Sequence, residues 1–405
     1  MNILYVSQYY HPEVGAPTNR AQANVQYLVQ QGHEVSVLCE MPNHPTGIVQ
    51  PGYKGKWMAI EGANPRILRA WVAASPKKTF LRRLAMYFSF PITGLILALC
   101  TRKQYDVVYV SSPPLFTCLI GLGWKLLFPS TRFVFELRDL WPEAAIEMGQ
   151  LKNPLLQKFS RLLANKTYKQ ADAIVTILPG FCKRLQENYS VNPEKLKVIY
   201  NGVDDAFFDA SAVKLPKSVS PLKVVYAGNL GLAQNISIIL KAACKFREED
   251  IEFHIYGEGP ESNKLKAQAQ EWNLSSVFFH GEVSRDEMMH HLQNSSVGVV
   301  PLIRTDTFRD ALPTKMFDYM ACGLPILLGV EGIAEEVLNV SKAGIAFVPD
   351  DSDSLSFAIR TVMNDPERLN PMAMSGREYV QMNFLRSKQA EKLEMLFQEL
   401  FGRRR

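Results

Sequence analysis

Two aspartates with seven residues between them, Asp310 and Asp318, mark the segment with the most specific chemical potential. Asp318 lies inside a helical pattern that runs roughly from Thr314 to Ala321, where a stronger helix former would be expected. A carboxylate there can accept two hydroxyl groups at once, as from a ribose, while Asp310 on the preceding loop contacts another part of the ligand. Lys315, near the helix start, offers its charge to a phosphate. The segment therefore predicts a site for a ligand that carries hydroxyl and phosphate groups.

A plain structural interpretation of this segment competes with the functional one. The helix could be an ordinary surface helix with a solvated polar side. However, Met316, Phe317 and Met320 already supply a side that faces the core, which leaves the polar residues for other work. We therefore favour the functional interpretation, with Thr314 at the helix start and Arg304 in the loop that leads into it.

Three glycine-bearing loops each follow a predicted strand. The first contains Gly15, which lets the backbone approach a ligand at a helix start whose free N–H groups attract phosphate. It lacks the GxGxxG pattern of dinucleotide-binding proteins, so a simple turn is the alternative. The second, Gly228-Asn229-Leu230-Gly231, permits a tight turn and close approach to a diphosphate. The third, with Gly257 and Glu258, either follows the contour of a nucleotide base or merely turns the chain.

Alternating strand and helix patterns must position these loops. Short β-branched apolar runs alternate with helical stretches, which is typical of α/β units with parallel sheets. The pattern stops in a linker-like stretch at residues 209–222 and then starts again. The predicted strands are Asn2–Ser7, Glu34–Cys39, Val107–Ser111, Arg132–Leu137, Ala173–Ile177, Lys197–Tyr200, Lys223–Ala227, Glu252–Tyr256, Val277–His280, Val297–Pro301 and Pro325–Leu328.

Two halves of similar build predict an α/β protein of two doubly wound, Rossmann-like domains facing across a cleft. Ligands of such sheets bind beyond the carboxyl ends of the strands, which is where the glycine loops lie. We place the first domain at residues 1–205 and the second at residues 206–380. A long helical stretch, about Ser375 to Leu400, is expected to return to the first domain, so that residues 381–405 belong to it.

Composition excludes several classes of protein. The chain has 405 residues, 47% of them apolar and 21% charged, so it can build large cores and is not disordered. No apolar run reaches the roughly 20 residues of a membrane span, and no basic region precedes the apolar N-terminus as in a signal peptide. Six scattered cysteines without a CxxC pair argue against zinc, redox and disulfide-framework proteins. We expect a cytoplasmic protein that does not bind nucleic acid, because the motifs typical of such binding are missing from the sequence.

The net charge of +5 conceals an asymmetry between the two halves. Residues 1–205 hold 23 Lys and Arg against 14 Asp and Glu, whereas residues 206–405 hold 22 against 26. From Gly62 to Tyr105 there is no acidic residue, and aromatic residues are interleaved with basic ones. Such a segment fits a surface that lies on anionic lipid without spanning it, and a buried helix with basic ends is the alternative. The basic residues of the segment are Arg66, Arg69, Lys77, Lys78, Arg82, Arg83, Arg102 and Lys103.

The order of these motifs resembles that of the retaining GT-B glycosyltransferases of family 4, in particular bacterial enzymes of capsule, O-antigen and colanic acid assembly. The resemblance covers nearly the whole chain. It rests on HPEVG, GNLG, GEGPE, PTKMFDYMACGLP and the block Phe135-Glu-Leu-Arg138-Asp139-Leu-Trp141-Pro142-Glu143. It implies transfer of a sugar from a nucleotide diphosphate sugar, with UDP-sugar favoured, to a saccharide or lipid-diphosphate-linked acceptor with retention of configuration. The nucleotide sugar is a co-substrate, no cofactor is implied, and the enzyme would be peripheral on the inner face of the bacterial plasma membrane.

The resemblance also implies which residues bind the donor. The family's pair of glutamates falls on Asp310 and Asp318, so that Asp318 would hold the ribose hydroxyls and Asp310 the donor sugar. The family's diphosphate-clamping Arg and Lys fall on Asn229 and Gln234, both neutral, so other cations would supply the charge. The implied donor-binding residues are Gly15, Gly228, Asn229, Gly231, Gln234, Gly257, Glu258, Arg304, Thr314, Lys315 and Asp318.

Three residues carry the implied catalysis. Arg138 stands where many members of the family have a histidine, and Asp139 follows it. In retaining transfer the leaving phosphate itself assists deprotonation of the acceptor, so stabilisation of the departing diphosphate matters more than a protein base. Arg138 would supply that stabilisation, Asp139 would orient the acceptor hydroxyl, and Asp310 would hold the donor sugar. A structural ion pair between Arg138 and Asp139 is the alternative.

An Asp-x-Asp pattern raises the question of a metal. Asp351-Ser-Asp353 has the form that holds a divalent ion in another glycosyltransferase fold. It directly precedes an apolar helical pattern, where Asp is an ordinary N-cap. We therefore interpret Asp351 as a cap and predict transfer without a metal ion.

Two other classes of function stay open. A nucleotide-sugar epimerase of the GT-B fold would use a similar pair of domains and would need no membrane surface. A non-catalytic subunit of polysaccharide assembly is made credible by the neutral Asn229 and Gln234.

Overall fold

The computed structural model describes residues 1–77, 79–147, 151–209 and 220–402, which form two compact units. Unit 1 is Met1–Asn201 with Arg386–Arg405, and unit 2 is Gly202–Leu385. From the sequence we expected the first domain to end at residue 205 and the chain to return to it at residue 381. Lys78 and most of the predicted linker, residues 210–219, lie outside the described residues.

The core of unit 1 is an eight-stranded sheet of order β3-β4-β2-β1-β5-β6-β7-β8. Its strands pair in parallel, apart from the antiparallel pair β3 and β4. The strands are β1 Asn2–Val6, β2 Glu34–Glu40, β3 Met58–Glu61, β4 Arg66–Ala70, β5 Val107–Ser112, β6 Arg132–Leu137, β7 Ala173–Thr176 and β8 Leu196–Val198. β3 and β4 were not predicted from the sequence; they border or lie in the segment interpreted as a basic lipid surface.

Helices cover both faces of this sheet because neighbouring strand residues point to opposite sides. Leu4 and Val6 of β1 face one apolar cluster, and Ile3 and Tyr5 face another. The first cluster is completed by α2, α3 and α5, and the second contains α1. These helices are α1 Ala16–Gln30, α2 Phe80–Cys100, α3 Cys118–Leu127, α4 Glu143–Glu147, α5 Pro154–Gln170 and α6 Pro179–Tyr189.

One predicted surface residue is a core residue. Arg69, in the segment interpreted as facing lipid, is only 2% exposed. Its Nε donates to Glu61 Oε2 at 3.1 Å, and its Nη2 donates to the carbonyl of His11 at 2.6 Å. The prediction was wrong for Arg69 because β4 is an inner strand, and a buried arginine needs such partners.

Unit 2 has a six-stranded parallel sheet of order β11-β10-β9-β12-β13-β14. Its strands are β9 Leu222–Ala227, β10 Ile251–Tyr256, β11 Val277–Gly281, β12 Val297–Pro301, β13 Ile326–Gly329 and β14 Gly344–Ala346. Its helices are α7 Ala206–Asp209, α8 Ser237–Ala243, α9 Ser262–Glu271, α10 Arg285–Gln293, α11 Thr314–Ala321, α12 Ile333–Ser341, α13 Ser352–Asn364 and α14 Leu369–Asn383. Five of these strands were predicted from the sequence, and β14 was not.

The C-terminal stretch is two helices rather than the single helix predicted from Ser375 to Leu400. After α14 the backbone of Phe384 turns away with φ of −127°, and α15 spans Arg386–Gly402. The break has a packing cause, because the buried Phe384 ring stacks on Phe317 at 4.2 Å between centroids. Beyond it, α15 packs on α1 in unit 1, and the ring centroids of Phe397 and Tyr109 lie 5.7 Å apart.

Two smaller expectations concern metals and membranes. Asp351 is the N-cap of α13, since its Oδ1 accepts from the N–H groups of Asp353 at 2.8 Å and Ser354 at 3.1 Å. The interpretation of Asp351 as a cap is therefore confirmed. Within the described ranges, no helix combines the length and apolar character needed to cross a bilayer.

Candidate functional site

The second and third glycine loops form one continuous backbone surface at the carboxyl edge of the unit 2 sheet. The N–H of Gly228 donates to the carbonyl of Tyr256 at 3.0 Å, and that of Gly257 donates to the carbonyl of Gly281 at 2.6 Å. Gly257 has φ of 115°, and a Cβ on it would lie 2.0 Å from the Gly228 oxygen. Only glycine fits there, so the loop at Gly228 and the loop at Gly257 form one structure, although they were predicted separately. We call it the fused glycine surface.

Side chains of the second loop are packed just as closely. A Cβ on Gly231 would lie 2.7 Å from Asn229 Nδ2 and 2.8 Å from Gln234 Oε1. Gln234 Oε1 is itself buried and has no hydrogen-bond partner among the described residues. Gln234 ends a 3-10 turn, Leu232–Gln234, that precedes α8. The loop therefore offers an acceptor oxygen that still needs a donor.

Lys315 of α11 lies beneath the first glycine of this loop. Its Nζ donates to Tyr226 Oη at 2.6 Å and lies 4.1 Å from the centre of the Tyr226 ring. The Tyr226 hydroxyl donates in turn to the carbonyl of Asn229 at 2.8 Å. Burial lowers the pKa of Lys315 to about 7, although Asp318 opposes that shift. The amine can therefore gain charge when an anion arrives.

A second side chain of α11, Tyr319, also bonds to β9. The buried Tyr319 Oη accepts from the N–H of Ala227 at 2.7 Å and donates to its carbonyl at 3.2 Å. Thr314 is exposed at the first position of the helix, and Asp318 is half-buried one turn later. The core side of α11 is as predicted, with Met316, Phe317 and Met320 buried.

The other predicted donor-binding residues occupy neighbouring loops. Arg304 is exposed, and its Nη2 lies 2.9 Å from Glu331 Oε1. Asp310 ends a 3-10 turn. Glu258 Oε1 accepts from Lys266 Nζ at 2.9 Å, and that bond lowers the pKa of Glu258. Because Glu331 already neutralises Arg304, Lys315 is the better source of positive charge for a phosphate.

In unit 1 a buried ion network stands at the carboxyl end of β6. Arg20 Nε donates to Glu136 Oε1 at 2.7 Å, and Ser111 Oγ donates to Glu136 Oε2 at 2.6 Å. Arg138 Nε lies 3.8 Å from the same Oε2. Burial by itself would raise the pKa of Glu136, but Arg20 and then Arg138 hold it below its ordinary value. Neither Arg20 nor Glu136 was predicted as a site residue, although Glu136 lies inside the block Phe135–Glu143 and Arg20 follows HPEVG by five residues.

The predicted catalytic residues differ in their surroundings. The ionic partner of Arg138 is Glu136 rather than Asp139, and Arg138 Nε is buried without a hydrogen bond to any described residue. Asp139 is exposed to solvent on one side. Burial of its other side raises the pKa of its carboxyl, and the charge of Arg138 opposes that shift. Gly15 is the N-cap residue of α1, and Arg20 lies in the same helix. The first glycine loop therefore leads directly into the helix that supplies Arg20 to this network.

A cavity of about 280 Å³ lies in unit 1 beside the loop that follows β2. The side chain of Asn43 is buried in its wall, and Asn43 Oδ1 has no partner in the described part of the chain. Asn43 Nδ2 donates to Glu40 Oε1 at 2.6 Å, and burial raises the pKa of Glu40 well above its ordinary value. The cavity is lined by Tyr9, Asn43, His44, Pro45, Thr46, Gly47, Ser75, Lys77, Arg82, Met86 and Tyr87.

The cavity has a constrained wall and a basic rim. Gly47 has φ of 73°, and a Cβ on it would lie 2.2 Å from the carbonyl oxygen of Ser75. Arg82 Nη1 donates to Ser75 Oγ at 2.8 Å, and both Arg82 and Lys77 are exposed. This cavity was not predicted from the sequence because its residues come from separate segments and form no motif. A glutamate at the end of a predicted strand, Glu40, was the available signal.

Both units match models of known families. The model "Glycosyltransferase Family 4" matches residues 19–207, and the model "Glycosyl transferases group 1" matches residues 208–379. The chain is a family 4 glycosyltransferase of the GT-B fold. The resemblance inferred from the motifs is thereby confirmed.

Individual proteins resemble this glycosyltransferase over different lengths. It is 24% identical over 396 residues to a putative colanic acid biosynthesis glycosyl transferase, WcaI of Escherichia coli K12, covering 94% of this chain and 96% of the relative. The structure of Anabaena Alr3699/HepE in complex with UDP shares its fold with a TM-score of 0.69 and 15% identity, covering 98% of this chain and 100% of that one. A shorter match, 25% identical over 155 residues, covers 38% of this chain and 40% of the Campylobacter jejuni enzyme named N-acetylgalactosamine-N,N'-diacetylbacillosaminyl-diphospho-undecaprenol 4-alpha-N-acetylgalactosaminyltransferase.

Proposed function

We propose that this glycosyltransferase moves a sugar from a nucleotide diphosphate sugar, with a UDP-sugar favoured, to a lipid-linked or saccharide acceptor in the synthesis of bacterial surface polysaccharide. The observation that carries the proposal is the fused glycine surface of unit 2 with Lys315 beneath it. Support comes also from the name of WcaI, which places that relative in colanic acid biosynthesis, and from the UDP held by HepE.

The donor is proposed to bind at the carboxyl edge of the unit 2 sheet. The backbone of the two glycine loops approaches the diphosphate, and the amine of Lys315 supplies the positive charge that Asn229 and Gln234 lack. Asp318, one turn further along α11, accepts hydrogen bonds from the ribose hydroxyls. Asp310 holds the donor sugar.

The transfer is proposed to retain the anomeric configuration and to need no metal ion. The bond between the anomeric carbon and the donor phosphate oxygen breaks, the acceptor oxygen bonds to the same carbon, and the leaving diphosphate takes the acceptor proton. Arg138 would stabilise the charge that develops on the diphosphate, and its buried Nε has a hydrogen to donate. Asp139 would orient the acceptor hydroxyl.

The cavity of unit 1 is proposed to hold the acceptor. Asn43, whose Oδ1 has no partner among the described residues, offers an acceptor to a sugar hydroxyl, while Lys77 and Arg82 on the rim suit a phosphate group. A lipid-diphosphate-linked saccharide would meet both requirements, and the name of the C. jejuni relative contains such an acceptor. The enzyme would then work at the inner face of the plasma membrane.

Thermal unfolding in the presence of nucleotides tests the donor site. A ligand at 100 times its Kd adds about 2.7 kcal/mol of stability, so UDP and the correct UDP-sugar should raise Tm clearly. Absence of any shift across a panel of nucleotide diphosphates would contradict the proposal. Product analysis covers the alternatives: an epimerised nucleotide sugar formed without acceptor would identify an epimerase, and nucleotide binding without any turnover on lipid-linked acceptors would favour a non-catalytic subunit.

A further inference from the structure

Three neighbouring helices of unit 1 leave apolar side chains uncovered. α3 packs against both α2 and α5, and the rings of Phe88 on α2 and Phe159 on α5 lie 6.4 Å apart, so the three helices form one surface. We call it the α2/α3/α5 face. Its outward apolar side chains are between 43% and 80% exposed: Ile92, Ile96, Leu126, Leu155, Phe159 and Leu162. Several exposed apolar side chains on neighbouring helices are typical of an interaction site.

The same three helices contain no acidic residue. α5 carries Lys158, Arg161, Lys166 and Lys169, all exposed, and α2 adds Arg82. Lys125 of α3 pairs with Asp172 at 2.8 Å and does not contribute a free charge. By contrast, α15, on the other face of the sheet, contains three glutamates. The α2/α3/α5 face therefore carries exposed cations as well as exposed apolar side chains, and most of those cations lie on α5.

Helix α5 shows how the two properties combine. Its inward side buries Ser160, Leu163, Ala164, Thr167 and Tyr168 against the sheet. Its outward side presents Leu155, Phe159 and Leu162, which recur at helical spacing, with the lysines and Arg161 around them. An ordinary surface helix would turn mixed charges outward, whereas apolar residues flanked by cations are typical of helices that lie in a membrane interface.

We propose that the α2/α3/α5 face docks on an anionic lipid bilayer. Outward leucines and Phe159 would enter the headgroup region while the cations contact lipid phosphates. A second copy of the chain is a poorer occupant, because a two-fold interface would bring the exposed lysines of two α5 helices towards one another. The inference stands on charge and exposure alone and does not depend on which sugar is transferred.

This surface differs from the one expected from the sequence. The acid-free segment at residues 62–105 contributes α2, but its Arg69 is buried and its Lys103 pairs with Glu34 at 2.8 Å. The new contributor is α5, some 50 residues further along the chain. Only the fold brings the two helices together.

Sedimentation with lipid vesicles tests the proposal. The full chain should bind vesicles of mixed phosphatidylglycerol and phosphatidylcholine at low salt, bind pure phosphatidylcholine weakly, and dissociate at high salt. The double variant Leu155→Glu/Leu162→Glu, at two exposed positions, should bind anionic vesicles at least about tenfold more weakly. Phe357→Glu, at a 74% exposed position of unit 2, serves as the matched control and should bind like the wild type.

Three outcomes would overturn the proposal. The first is no binding of the wild type to anionic vesicles at low salt. The second is equal binding by the double variant, or an equal loss in the Phe357→Glu control. The third is a concentration-dependent dimer that the double variant abolishes while vesicle binding persists, which would assign the face to a second copy. The change in Tm on addition of UDP, measured on the same samples, distinguishes this proposal from the proposed donor site. A rise in Tm without vesicle binding overturns membrane docking alone. Vesicle binding without a rise in Tm contradicts the donor site alone.

Discussion

Arg20 Nε donates to Glu136 Oε1 at 2.7 Å, and this buried ion pair anchors the end of unit 1. The other guanidinium nitrogens of Arg20 donate to the carbonyl of Ile199 at 3.1 Å and to that of Tyr200. The N–H of Tyr200 donates to Gln389 Oε1 of α15 at 3.1 Å. The chain's exit from unit 1 and its return are thus fixed to one network, which also contains the proposed catalytic Arg138.

We expect Glu136→Gln to destabilise unit 1 strongly. Removing one partner of a buried pair leaves an uncompensated charge and costs about 3–5 kcal/mol. Denaturant unfolding followed by circular dichroism measures this loss. Glu187→Gln is a suitable control, because Glu187 lies on the surface 4.0 Å from Lys183, and it should change stability by less than about 1 kcal/mol.

The same variant should change the acid response of stability. Because the pKa of Glu136 is lower in the folded protein, its contribution is present above the unfolded pKa of about 4.5 and is lost as pH falls through the folded value. Wild-type stability should therefore fall more steeply on acidification than that of Glu136→Gln. Parallel curves for the two proteins would show that Glu136 is not the titrating group.

Lys315 should make nucleotide affinity depend on pH. Its pKa is about 7 in the free protein, and a bound diphosphate would raise that pKa, so binding takes up a proton above pH 7. UDP affinity should fall as pH rises from about 7 to about 9, by at most tenfold per pH unit. Calorimetric titrations at several pH values measure the slope.

Lys315→Met should bind UDP more weakly near neutral pH and lose most of this slope. Lys264→Met removes an exposed lysine that pairs with Glu261 on the neighbouring helix turn, and it should retain both affinity and slope. If Lys315→Met kept the full pH dependence, the titration would belong to another group.

Gly257→Ala should disrupt the fused glycine surface. The new Cβ would meet the Gly228 oxygen at 2.0 Å on a backbone with φ of 115°, so the two loops must separate. We expect a stability loss of about 1–3 kcal/mol together with weaker UDP binding. Gly52→Ala is the control, because a Cβ on Gly52 would have no atom within 4 Å and its backbone does not adopt a positive φ. Unchanged UDP affinity in Gly257→Ala would contradict a role for this surface in binding the donor.

The basic rim of the unit 1 cavity should affect the binding of the acceptor and leave the binding of the donor unchanged. Lys77→Ala/Arg82→Ala removes two exposed cations, so KM for a water-soluble, short-chain lipid diphosphate saccharide should rise about tenfold while UDP affinity stays constant. Initial-rate kinetics in the absence of vesicles measure KM without a contribution from membrane docking. Lys54→Ala is the control, and an unchanged KM in the double variant would remove the cavity from the acceptor site.

Local patterns predicted the parts of the fold that depend on local sequence. Buried parallel strands are short apolar runs, and the glycine loops follow them directly, so β9, β10 and the loop at Gly228 were found. The core side of α11 was likewise readable from the spacing of Met316, Phe317 and Met320. The interpretation of Asp351 as a cap succeeded because a cap bonds only to its neighbours.

Contacts between distant residues could not be read in the same way. Tyr226 looks like a core residue of β9, and its bond to Lys315 joins positions 89 residues apart. Arg69 resembled a surface cation because Glu61 and His11 reach it only through the pairing of β4. The break between α14 and α15 depends on the packing of Phe384 on Phe317, which no helical period reveals.

Calorimetric titration of UDP into the wild type and Asp318→Ala tests the central claim most directly. Asp318 lies on α11 one turn from Lys315, and the proposal makes its carboxylate the acceptor for the ribose hydroxyls. Glu248→Ala, at an exposed position of the same unit, provides the control. We predict that the wild type and Glu248→Ala bind UDP alike, and that Asp318→Ala binds at least about tenfold more weakly, as expected for loss of charge-assisted hydrogen bonds. Equal UDP affinity in all three proteins would contradict the donor site proposed for unit 2.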